Sequence, residues 1–92
     1  MATKVFVYTA LWKEGDKFEM GLKTRVFGDH RDAAAELQAD AKEAVTCFSL
    51  EYGEGNYDYS CDSEDHAVCE VNTDEGWLGD RWEARIEPQY IN

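Results

Sequence analysis

Three observations predict an α+β fold, in which one helix packs on a face of an antiparallel sheet of four to six strands in the order β-β-α-β-β-β(-β). Two segments near the start, residues 4–12 and 18–27, carry strand composition and flank the turn-forming "KEGD". A run with helical spacing follows over residues 29–45. Beyond it, short β-rich segments alternate with polar, glycine-containing stretches. Ninety-two residues are expected to form a single domain, since so short a chain does not divide into two cores.

The first segment, "KVFVYTALW", is rich in β-branched and aromatic residues. Its two faces are Val5/Val7/Thr9/Leu11 and Phe6/Tyr8/Ala10/Trp12, both apolar enough to be covered at least in part. The second, "FEMGLKTRVF", alternates: Phe18, Met20, Leu22, Thr24 and Val26 face one way, Glu19, Lys23 and Arg25 the other. Together the segments form a hairpin.

In "GDHRDAAAELQADAKEAV", Asp29 is placed to cap the first turn, and Asp32 at the third helical position favours the exposed amides there. Ala34, Leu37, Ala41, Ala44 and Val45 fall on one face. The small alanines imply close helix-to-sheet packing. Asp32, Glu36, Asp40 and Glu43 make a narrow stripe, expected opposite that face.

After the helix, "TCFSLEY", "YDYSC", "HAVCEV" and "RWEARIEP" read as four short strands of an antiparallel meander. Ala67, Cys69 and Val71, with Trp82, Ala84 and Ile86, are expected to point inward. Asp58, Ser60, His66, Glu70, Asn72, Arg81, Glu83, Arg85 and Glu87 then occupy the other face.

Charge narrows the function. Residues 1–49 hold eight acids and seven bases, a net of −1; residues 50–92 hold twelve acids and two bases, a net of −10. These recover the total of −11. At a pI near 4.4, binding of naked nucleic acid is not expected, because phosphates attract basic surface. A basic protein partner is. The stretch "SCDSEDHAVCEVNTDEG" contains no lysine or arginine, and it supplies a second acidic patch: Glu64, Asp65, Glu70, Asp74 and Glu75. Trp77, in the glycine-flanked loop "DEGWLGD", is a candidate anchor for a partner or a cover for the core edge, whereas Trp82 alternates with core positions. Of the two patches the second has the stronger claim, since the C-terminal half holds almost no compensating base.

Motifs for chemistry are missing. Cys61, His66 and Cys69 have metal-ligand character, but their C-x4-H-x2-C spacing fits no familiar zinc pattern, and Cys69 points inward. "CDSEDHAVCE" lacks the alternating ligands and central glycine of an EF-hand loop. Neither His30 nor His66 sits in a nucleophile motif with a cysteine, and "GEGN" has no following P-loop lysine. No enzymatic activity, metal or cofactor is expected. Three cysteines, an odd number, fit free thiols in a reducing cytoplasm. The apolar run Val5 to Trp12 is too short for a secretory signal, and no window reaches a membrane span.

The compact size, the clustered "DSED" and "NTDEG" acids and the lack of catalytic motifs resemble the small acidic anti-defence proteins of phages, notably anti-CRISPR proteins and other nucleic-acid mimics. The resemblance implies a non-enzymatic inhibitor in the host cytoplasm. It would block the nucleic-acid channel of a CRISPR effector complex or another basic nucleic-acid-binding protein. Carboxylates one helical turn apart, or on alternate strand positions, are spaced by about 6–7 Å, near the spacing of successive phosphates. An immunity protein or antitoxin that neutralises a basic nuclease toxin is the alternative, since the same surface would serve it.

Overall fold

The computed structural model describes residues 2–14, 19–71 and 80–91. Its elements follow the expected order: β1 (Thr3–Glu14), β2 (Glu19–Phe27), α1 (His30–Tyr52), β3 (Asp58–Ser63), β4 (His66–Glu70) and β5 (Arg81–Ile91). The five strands form one antiparallel sheet in the spatial order β2-β1-β5-β4-β3, and α1 lies on one of its faces. β3, β4 and β5 are the expected meander, but β5 continues inward to pair with β1 along almost its whole length, from Thr3↔Ile91 to Lys13↔Arg81.

The helix starts as its sequence indicates. Asp29 is the N-cap, and its carboxylate accepts the Arg31 amide at 2.8 Å. It does not stop at Val45. "TCFSLEY", expected as a strand, is instead the last two turns of α1, so three strands follow the helix rather than four. Phe48 decides the outcome: one turn beyond Ala44 on the same face, it packs on the core and touches the rings of Tyr52 and Tyr57. Gly53 ends the helix at φ 86°, a conformation that suits glycine, and its amide reaches back to the Ser49 carbonyl at 2.9 Å.

Register sorts the side chains. Phe6, Tyr8, Ala10 and Trp12 of β1 face the helix, level with Pro88, Ile86, Ala84 and Trp82 of β5. Ala67 and Cys69 of β4 continue the same rows. Tyr8, Leu37 and Cys69 are the largest fully buried side chains. Ala10, Ala84 and Ala67 make a row of small residues across three adjacent strands, each no more than 1% exposed. That flat strip lets Ala33, Leu37 and Ala41 of the helix approach the sheet closely. The inward assignment of Trp82, Ala84, Ile86, Ala67 and Cys69 therefore holds, with Val71 half-buried.

On β2 the alternating apolar set points away from the helix. Leu22, Thr24 and Val26 share the open face, while Lys23 and Arg25 point toward α1. Gly21, opposite Trp12, leaves room for the indole, since a Cβ there would lie 2.0 Å from Trp12 Cε2. Phe18 lies outside the described residues.

Candidate functional site

The acidic stripe of the helix is not opposite its buried face. Ala33, fully buried, is the innermost alanine rather than Ala34, and this turns the stripe onto the flank that overlooks β2. Two of its members meet bases there. Lys23 Nζ donates to Glu36 Oε1 at 2.5 Å and to Asp40 Oδ2 at 2.9 Å, and Arg25 Nη1 donates to Glu36 Oε2 at 3.1 Å. The buried Tyr8 hydroxyl donates to the same Asp40 oxygen at 2.7 Å. Burial, then this bond, pushes the Tyr8 phenol far up, so it stays a donor throughout the physiological range. The Lys23 hydrogen bond holds the Glu36 carboxyl below its usual value, and Lys23 is raised in return. Asp32 and Glu43, the ends of the stripe, are exposed and make no ion pair or hydrogen bond with any described residue.

Beyond Glu43 the stripe extends through Cys47 to Glu51, likewise unpaired, because the helix is two turns longer than its sequence pattern indicates. This stretch borders a cleft of about 430 Å³ between the helix and the β1–β5 pair. Its apolar lining includes Trp12, Trp82, Ala44 and Phe48, and Glu43 and Glu51 stand at its helical side. Trp12 is 40% exposed and is opposed by Gly21 of β2. Lys13, Lys23 and Arg81 also line the cleft, against Asp40, Glu43, Glu51 and Asp80, so the place for an incoming ammonium or guanidinium group is the helical side, where Glu43 and Glu51 stand, rather than the cleft floor. The sequence pattern does not single out Trp12 or Glu51: both faces of the first strand are apolar, and the segment that holds Glu51 has strand composition.

The second patch divides differently. Glu64 is exposed and without a partner among the described residues. Asp65 Oδ1 lies 2.5 Å from His30 Nε2, tying the β3–β4 turn to the first turn of α1, and the His30 ring packs edge-on against Phe6 at 5.3 Å. Glu70 accepts from Arg81 Nη1 at 3.2 Å. Asp74, Glu75 and Trp77 lie outside the described residues, as does Asn72.

His66 stands on the sheet face away from the helix, between Asp62 (Nδ1 to Oδ2, 2.8 Å) and Glu83 (Nε2 to Oε2, 2.5 Å), with Arg85 as its cross-strand neighbour. Glu83, then Asp62, raises the imidazole pKa, and His66 lowers that of Glu83. The imidazolium therefore adds stability that is fully present below about pH 6.5 and is lost as pH rises through the raised pKa. The Glu83 contribution is present above about pH 4.3 and is lost as pH falls through the lowered pKa. His66→Gln is expected to lower the melting temperature clearly near pH 5.5 and much less near pH 8.5, as read by circular dichroism.

Among the described residues no three metal-ligating side chains converge. Burial pushes the Cys69 thiol up to about 11, whereas Cys47 and Cys61 are exposed. No described helix is long and apolar enough to cross a membrane. Comparison with protein-family models, with curated proteins and with solved structures finds no match.

Proposed function

We propose that this chain is a non-enzymatic inhibitor that docks its acidic helix flank on a basic nucleic-acid-binding protein, such as a CRISPR effector complex, and blocks nucleic-acid access. The observation that carries the reading is the flank itself. Asp32, Glu36, Asp40, Glu43 and Glu51 run along α1, and among the described residues only Glu36 and Asp40 are paired, with Lys23 and Arg25. The terminal carboxylates keep their charge for an external cation, beside a cleft lined by Trp12. A lysine or arginine of the partner would enter on the helical side and pair with Glu43 or Glu51. Glu64, without a partner among the described residues, supplies a further charge beside the helix N-terminus. Long-range attraction would speed the encounter, and occupation of the partner's phosphate-binding residues would exclude nucleic acid.

Capture of partners from native cells, identified by mass spectrometry, supplies the ligand for the test. With that partner, wild-type association is expected to slow as salt rises. Reversal of Asp32, Glu43 and Glu51 to lysine is expected to slow association about tenfold or more while leaving the melting temperature near that of the parent. A parallel reversal of Glu64, Asp65 and Glu70 measures the second patch. If both group variants bind like the parent at low salt, the acids are only a solvated surface and the proposal fails.

A further inference from the structure

The helix covers one face of the sheet, and the other face has no covering element among the described residues. On its β2–β1 side this open face carries Leu22 (65% exposed), Val26 (61%) and Leu11 (40%), next to the half-buried Val5 and Val7. Its charges nearly balance. Asp58, Asp62, Glu70, Glu83 and Glu87 are set against Lys13, Arg81 and Arg85, a formal −5 + 3 = −2 out of the chain's −11, with His66 among them. Most of the repulsion between two copies therefore lies elsewhere on the molecule.

The outward residues of β5 read Arg81, Glu83, Arg85, Glu87. This row is its own complement when reversed. A two-fold axis lying between two stacked sheets, across the strands at the level of Ala84, places Arg81 over the partner's Glu87 and Glu83 over the partner's Arg85. The same operation keeps the β2–β1 side on one side, setting Leu22 over the partner's Thr24, Leu11 over the partner's Thr9 and Val7 over the aliphatic stem of the partner's Lys13. A two-fold along the strands would instead stack like charges and set the apolar half on the acidic one. We propose that this face is a self-association surface whose occupant is a second copy of the chain, packed face to face about the first of these axes. An isologous contact requires this kind of self-complementarity. The strands differ in length, from five residues in β4 to twelve in β1, and together outline roughly 680 Å², below the roughly 800 Å² per partner of a standard interface, which suits a weak, concentration-dependent dimer. The helix flank remains outside the contact, on the other side of the sheet, whereas Lys13 and Arg81 border both the contact face and the cleft.

Sedimentation equilibrium of the full chain, from micromolar to millimolar concentration, tests this directly. The expected result is a reversible shift from the 10.5 kDa monomer toward twice that mass. Glu83→Arg and Arg85→Glu are each expected to raise the dissociation constant at least tenfold, and their combination to restore it, because the doubly exchanged row is again complementary to its reverse. Leu22→Asp, at an exposed site separated from Glu83 by Leu11 in the same cross-strand row, is expected to give a folded monomer by circular dichroism. A wild-type chain that stays monomeric throughout would overturn the proposal. So would a dimer that tolerates Leu22→Asp, or single reversals that the double exchange does not rescue.

Discussion

Leu37→Asp is expected to destabilise the protein by about 3 kcal/mol or more, lowering the melting temperature by about 12–24 °C in a domain of this size. Leu37 is 1% exposed and sits between Ala33 and Ala41 on the face of α1 that meets the sheet. Its side chain contributes about 1.5–3 kcal/mol through burial, all of which the substitution forfeits. Among the described residues the buried core offers that carboxylate no cation, and the hydroxyl of buried Tyr8 is already given to Asp40. The carboxylate must either be protonated or draw water under the helix. Leu37→Met, which conserves volume, serves as the control and is expected to cost less than about 1.5 kcal/mol. Thermal melts of the three proteins decide the matter. Equal melting of Leu37→Asp and the parent would mean that this helix face does not bear on the sheet.

Ala84→Leu is expected to cost about 2–3 kcal/mol, at the upper end of the range for overpacking. Ala84 is fully buried in the middle of the row formed with Ala10 and Ala67, on the central strand of the sheet. A longer side chain cannot turn sideways, because both neighbours in the row are themselves buried strand residues. It can be accommodated only by lifting the helix. Denaturant unfolding measures the loss, and a midpoint unchanged from the parent would show that the helix–sheet gap is wider than the alanines imply.

Much of this architecture could be read from residue patterns, and the places where the reading failed share a cause. The first hairpin, the helix start at Asp29 and the inward alternation of Trp82, Ala84 and Ile86 each depend on local spacing. "TCFSLEY" went wrong because Thr46, Phe48 and Tyr52 carry β propensity, and packing of Phe48 on the core overrides it. A clue was present: Leu37, Ala41, Ala44 and Phe48 keep helical spacing, and Gly53 follows one residue after Tyr52. The pairing of the acids could not be read in the same way. Which carboxylates find a base depends on the face of β2 that turns toward α1, and alternation alone leaves that choice open. Once Lys23 and Arg25 face the helix, Glu36 and Asp40 become part of the fold's own support, and the free charge shifts to Asp32, Glu43 and Glu51. The predicted sites at Asp74, Glu75 and Trp77 lie outside the described residues.

The pairing of β1 with β5 at the centre of the sheet also sets an order of events. Each hairpin, β1 with β2 and β3 with β4, closes over a short span of chain, and α1 needs only its own residues to form turns. The sheet's midline, by contrast, joins partners such as Thr3 and Ile91 that are separated by most of the sequence. Until β5 arrives, the two hairpins have no shared edge, and Leu37 has no floor of Ala84 and Ile86 to rest on. Such long-range closure is slow compared with helix formation, and it places the protein nearer the millisecond-to-second folders than the helical bundles. On the ribosome the last strand to emerge is the one that joins the halves. The nascent chain therefore exposes the rims of two unfinished sheets until Arg81–Ile91 has left the exit tunnel.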